Sequence, residues 1–200
     1  MAPSVDNVDV KPEGLRARKK QLQRNRLIDI GVELFITKGF DATSVSEIAA
    51  SAELSDPTFY RYFKTKEDLA FDWNRKLGRI ELTMLADRPK HEKPITSLKK
   101  TILALAGRWD SDPVTSAKML RLIYSSPILE SRALYETAQW EKSYATVLQQ
   151  GRAVNNKECF RIEVDVAIVV AAFVAAARNW SKSDRRSSIK SWVAEALAEL

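Results

Sequence analysis

Hydroxyl-bearing and cationic side chains crowd the twelve residues SDPTFYRYFKTK at positions 55–66. Arginine and lysine pair with phosphates, and serine, threonine and tyrosine hydroxyls bond either phosphates or base edges. The same stretch packs four aromatic rings into five positions, Phe59, Tyr60, Tyr62 and Phe63, interrupted by Arg61. In a helix starting near Asp56, Phe59 and Phe63 lie four apart and share one face. The phenylalanines then serve a core. Tyr60 and Tyr62 are left beside Ser55, Thr58, Arg61, Lys64 and Lys66, a set suited to a nucleic acid. The plainer alternative is that the tyrosines are half-buried packing. Asp56 has two readings as well: an acceptor for a cytosine amino group, or a helix cap.

The surrounding elements are predicted to be helices. Leu27, Ile30, Gly31, Leu34 and Phe35 recur at spacings of three and four, and Gly39 supplies a C-cap. Ser44 with Glu47 fits a capping box, opening a short second helix over about 45–52 with Val45, Ile48 and Ala49 inward. Ser55 or Asp56 caps a third helix, and Pro57 suits its first turn. Thr65 caps a fourth, predicted to run unbroken to about Ala86. Two short helices joined by so brief a turn form a helix-turn-helix over about 44–63. Leu54, Phe59 and Phe63 would pack on Ile48, Val45 and Phe35.

These residues resemble the N-terminal domain of the TetR family of transcriptional regulators. The resemblance rests on Gly39–Phe40, Thr43–Ser44–Val45, Ile48–Ala49, Thr58–Phe59–Tyr60–Arg61–Tyr62–Phe63 and Lys66–Leu69, and covers about 50 residues. It implies that Ser44 bonds a phosphate and that Ser55, Thr58 and Tyr60 lie in the major groove. It also implies that Tyr62 reaches the backbone and that Lys66 pairs with a phosphate. Two positions depart from the family pattern. Glu53 stands where many members have glycine, and Asp56–Pro57 stands where many have Lys-Gly.

Charge points the same way. The net charge is +6, and residues 11–26 hold seven cations against one carboxylate, whereas residues 27–72 hold four against nine. Arg16, Arg18, Lys19 and Lys20 therefore form a basic arm for a polyanion, or else a solvated tail. Residues 1 to about 14 are expected to be disordered, with a helical pattern beginning at Leu15; by domain, 1–20 form a disordered or basic arm, 21–81 the DNA-binding domain, and 82–200 a helical regulatory and dimerisation domain. The fold class is all-α with about nine helices.

The C-terminal part resembles the family in helical layout alone. The stretch 166–177, VAIVVAAFVAAA, is apolar nearly all round, as a buried helix would be, and is shorter than the ~20 residues of a membrane span. A dimer suits a small helix-turn-helix domain, because two recognition helices then meet successive grooves. Family members pair their last two long helices, so Val170, Phe173, Val174, Ala177, Trp180, Trp192 and Leu197 are interface candidates. The alternative is the centre of a monomeric bundle. Trp109, Met119, Tyr124, Trp140, Tyr144 and Phe173 are candidates for a pocket taking a small apolar or aromatic ligand, or are simply core. A ligand would act by shifting a conformational equilibrium, with the fourth helix as lever.

Other classes find less support. His91 lies in a Lys-rich loop without a partner, Cys159 is the single cysteine, and no phosphate loop, dinucleotide fingerprint or metal-ligand spacing occurs. Neither an enzyme nor a cofactor is expected. No signal peptide is visible, and a cytoplasmic setting is expected. A double-stranded DNA operator, a homodimeric partner and an effector ligand are the expected partners, with no membrane. The alternatives are a helical interaction protein or a membrane-surface binder using the basic arm.

Overall fold

A computed structural model describes residues 14–183, 187–198 and 200, excluding the side chains of residues 73, 74, 76 and 77. The segment before residue 14 lies outside the described residues, and with it most of the expected disordered arm. The elements are α1 (Leu15–Lys38), α2 (Val45–Ser51), α3 (Asp56–Tyr62), α4 (Lys66–Ala70), α5 (Asp72–Ala86), α6 (Pro94–Trp109), α7 (Pro113–Ile123), α8 (Pro127–Gln149), α9 (Asn156–Lys182) and α10 (Ile189–Ala198).

Local signals place most boundaries. Ser44 Oγ accepts from the Glu47 N–H at 3.1 Å, and Thr65 Oγ1 accepts from the Asp68 N–H at 3.2 Å. The reciprocal half of the expected Ser44–Glu47 box is replaced by an ion pair, because the Glu47 carboxylate reaches Lys38. Prolines open α6, α7 and α8, where the missing N–H leaves no bond unmade. A full capping box between Asn155 and Glu158 opens α9.

Residues 15–20 of the basic arm are the opening turns of α1, which starts at Leu15 as the sequence pattern predicts. One correction concerns helix limits. The long fourth helix is two helices, interrupted at Phe71, whose φ and ψ are −90° and 0°. Phe71 is fully buried. On one side of it α4 packs on α1, and on the other α5 packs on α6 and α8. The two halves therefore answer to different neighbours. Asp72, next along, is gripped by the two terminal nitrogens of Arg24.

Two cores result. The first holds Leu27, Phe35, Phe40, Ile48, Ala49, Phe59, Phe63, Leu69 and Phe71, with Val45 and Leu54 against it, as the spacing predicts. It also takes in Leu122 and Ile123 from the end of α7 and Leu129 from α8. The second is built around α9, which meets α6, α7, α8 and α10. Contrary to expectation, α9 is not buried on all sides within this chain. Ile162, Val166, Val169 and Trp180 face inward, while Phe160 is 65%, Val164 38% and Ile168 43% exposed, with Ala167 and Ala171 open beside them.

Candidate functional site

The turn between α2 and α3 is closed by backbone bonds from the Glu53 N–H to Ala50 O and from the Leu54 N–H to Ala49 O, each 2.9 Å. Glu53 takes a left-handed φ of 58°, the conformation glycine adopts without steric cost. An exposed ion pair from Arg26 at 3.0 Å fixes its carboxylate.

On α3, Phe59 and Phe63 point into the first core, and Tyr60 is 55% exposed. Arg61 and Lys64 are exposed beside it, and so is Ser55, whose Oγ lies 3.0 Å from Thr58 Oγ1. Ser55 occupies the N-cap position. Asp56 therefore does not cap: it stands inside the first turn and accepts from Ser46 Oγ at 2.5 Å, tying α3 to α2. Tyr62 is half-buried and donates its hydroxyl to Gln23 Oε1 at 2.7 Å, so its oxygen is spent on α1.

Lys66 is engaged within the chain as well. Its ammonium sits 4.3 Å over the Phe40 ring and donates to Phe40 O at 2.8 Å and Thr43 O at 2.9 Å. Those carbonyls follow the end of α1, where no intrahelical donor reaches them. Lys66 thus holds the α1–α2 loop in the DNA-free chain. Ser44 is exposed at the start of α2, with unspent N–H groups suited to an anion. Arg16, Arg18, Lys19 and Lys20 are exposed along α1. Arg16, Lys19, Lys20 and Gln23 share a face by their spacing, and the Gln23–Tyr62 bond sets that face against the end of α3.

The DNA-reading unit is tied to the rest of the chain by charge. Arg24 grips Asp72 and lies 4.7 Å over the Phe63 ring. Asp68 of α4 binds Arg75 at 2.9 Å and Arg132 at 3.1 Å, and Glu136 of α8 binds both arginines at 2.9 Å. This closed ring of four charges joins α4, α5 and α8.

Behind it lies a cavity of about 120 Å³, lined among others by Trp109, Tyr124, Trp140, Tyr144 and Phe173. Met119, the sixth residue expected there, is buried but does not line it. The Trp140 and Tyr144 rings stack at 6.3 Å and 27°, and Trp109 meets Phe173 edge-on at 5.4 Å. The Trp140 indole packs directly against Gly78, where any Cβ would come within 1.9 Å of it.

Sequence reasoning missed the polar group of this cavity. Glu81 is 2% exposed and accepts from Tyr144 Oη at 2.6 Å. Its Oε1 finds no hydrogen-bond partner among the described residues. Burial pushes the carboxyl up to about 7, and the bond from Tyr144 opposes this only in part. Burial, and then Glu81 itself, hold the Tyr144 hydroxyl well above the ordinary tyrosine range. A faint signal existed: Gly78, Glu81 and Leu85 follow helical spacing on the buried stripe of α5. Phe71 and Ile123 line the cavity while belonging to the first core, and Tyr124 and Ala133 line it while packing against that core.

The dimer candidates are redistributed. Val170, Ala177, Trp180 and Leu197 are buried in the chain's own core, so they are not available to a partner. Phe173 and Val174 line the cavity, and Trp192 is half-buried against the second core. For the residues on α9 the reason is rotational: the apolar run spans its whole circumference, and the expected ones lie on its inward arc.

Short helices carrying exposed Ser55, Tyr60, Arg61 and Lys64, joined by a tight turn and backed by a helical bundle, define a helix-turn-helix DNA-binding protein. The sequence profile described as "Bacterial regulatory proteins, tetR family" matches residues 27–72. The HTH-type transcriptional regulator TcmR of Streptomyces glaucescens is 29% identical over 173 residues, covering 84% of this chain and 76% of its own. Among solved structures, NalD, the secondary repressor of the MexAB-OprM multidrug efflux pump in Pseudomonas aeruginosa, superposes with a TM-score of 0.64 at 16% identity, over 91% of this chain and 95% of its own. The Thermus thermophilus repressor FadR, solved in complex with lauroyl-CoA, has a TM-score of 0.57 at 21% identity, over 88% and 91% of the two chains. Residues 27–72 thus carry the sequence pattern of the tetR-family bacterial regulatory proteins, and the chain acts as a DNA-binding regulator.

Proposed function

We propose that this protein is an effector-responsive, cytoplasmic repressor that binds a palindromic operator as a homodimer. Tyr60, Arg61, Ser55 and Thr58 would read base edges. Ser44, Lys64 and the α1 cations Arg16, Arg18, Lys19 and Lys20 would meet phosphates. The open apolar stripe on α9, from Phe160 through Val164 to Ile168, would be the surface that pairs two copies. Water-facing isoleucine and phenylalanine at helical spacing are what an unfilled helix interface looks like.

The observation that carries the effector reading is the shared wall. Phe71 and Ile123 belong both to the cavity lining and to the core of the DNA-reading domain. A ligand that displaces them displaces the floor on which α1 and α4 rest. The lever is thus the Phe71 break and the charge ring beside it. A ligand with different affinities for the two arrangements would shift the population of DNA-competent dimers.

Selection of random duplex DNA by the purified protein tests the operator reading. A two-fold symmetric motif, with half-sites about one helical turn apart or a multiple of it, is the expected result. A folded protein that enriches no motif refutes it. Sedimentation of the free protein reports the dimer, and a monomer at micromolar concentration refutes that part.

A further inference from the structure

The acidic groups of the cavity lining are the carboxylates of Glu81 and Glu136, set among neutral hydroxyls and indoles, and no lysine, arginine or histidine is among the described lining residues. The cations packed behind the wall are engaged already: Arg75 and Arg132 by Glu136, and Arg178 by Glu130. Glu136 is thereby neutralised. Glu81 is not, since a single neutral hydroxyl from Tyr144 faces it and its Oε1 remains unpartnered. A buried carboxylate in that state is costly, and an incoming cation with an N–H donor removes the cost.

The rest of the wall suits such a cation. The rings of Trp109, Trp140, Tyr144 and Phe173 surround the space, and aromatic faces attract positive charge. The near-parallel Trp140 and Tyr144 rings, at 27°, offer a stack that a flat ring system can extend. We propose that the cavity selects a small, flat aromatic cation whose charged N–H donates to Glu81 Oε1, and that it discriminates against a carboxylate of the same shape. This rests on the effector-site reading of the cavity.

Two three-ring probes of opposite charge test it: proflavine, a planar cation, and anthracene-9-carboxylate. Each is titrated into DNA-free protein at pH 8, followed by calorimetry and tryptophan quenching. Proflavine is expected to bind at least tenfold more tightly than the anion. Glu81→Gln should remove at least tenfold of that affinity. Tyr144→Phe, which keeps the carboxylate, should retain proflavine binding. In the unmodified protein, proflavine affinity should fall on acidification from pH 8 to pH 6, as Glu81 takes up a proton opposite Tyr144 and Glu136. Equal or tighter binding of the anion, full proflavine affinity in Glu81→Gln, or a pH-independent affinity would overturn the assignment. The random-duplex selection is run without probe. An enriched motif with no cation preference sinks this inference alone. A clear cation preference with no motif supports it and sinks the regulator reading instead.

Discussion

Glu81→Gln is the substitution whose consequence follows most directly from the structure. The carboxyl is raised from its ordinary 4.5 to about 7, chiefly because it is buried. The groups facing it are the Tyr144 hydroxyl and, across the cavity, Glu136 with its arginines. A carboxyl with a raised folded value holds its proton more tightly in the fold than in the unfolded chain. Its contribution is therefore nil below pH 4.5, grows steadily more destabilising as pH rises from 4.5 to about 7, and stays constant above that. The gap between 4.5 and about 7 amounts to about 3 kcal/mol at 1.36 kcal/mol per unit. Glutamine does not ionise, and its carbonyl still accepts from Tyr144. The difference in unfolding free energy between the variant and the parent should therefore grow in the variant's favour by about 3 kcal/mol between pH 5 and pH 8.5. Urea unfolding followed by far-ultraviolet circular dichroism, at fixed protein concentration, measures it. Comparing two proteins at each pH cancels the other titrating groups. Parallel profiles, within about 0.5 kcal/mol of each other across that range, would show that Glu81 is solvated and would refute the burial argument.

Further substitutions separate the roles assigned above. Tyr60→Ala should weaken operator binding about tenfold per half-site and change stability by less than about 0.5 kcal/mol, as read by electrophoretic shift and urea unfolding. Lys66→Ala should behave oppositely, costing about 1–2 kcal/mol of stability through two lost charged hydrogen bonds, with the salt slope of DNA binding unchanged. A slope reduced by about one per half-site would mark Lys66 as a phosphate ligand after all. Gly78→Ala should cost about 1–3 kcal/mol by forcing the Trp140 indole from its seat, with a shift in tryptophan emission; an unaltered spectrum would contradict that packing. Ile168→Glu, on the open stripe of α9, should yield monomers by sedimentation and lose operator binding, while a stable dimer would place the interface elsewhere.

Much of the DNA-reading half was legible in the chain because its signals are local. Caps at Ser44 and Thr65, Pro57 in a first turn, and the spacing of Phe59 and Phe63 each act within a helical turn. Their sum specifies a helix-turn-helix and leaves Tyr60 outside. The family motif reinforced this through residues that touch one another across short stretches of chain. Five of six expected cavity residues were legible for a related reason: large rings in a helical bundle must gather somewhere inside.

What escaped the sequence depends on contacts between distant segments. Lys66 reads as a phosphate ligand, and nothing local tells that Phe40 and Thr43 bring their carbonyls to it. Asp56 reads as a cap until Ser46 meets it from α2. The break at Phe71 exists because α4 and α5 answer to different partners. The inward arc of α9 could not be told from its outward arc, since alanine and valine occupy both. Glu81 looked like one more solvated carboxylate on an amphipathic helix. The sequence alone determined the helices, their caps and the presence of a DNA-reading head. Tertiary structure decided which charges are spent holding the fold and which remain for a ligand, because burial and pairing are properties of the assembled neighbourhood.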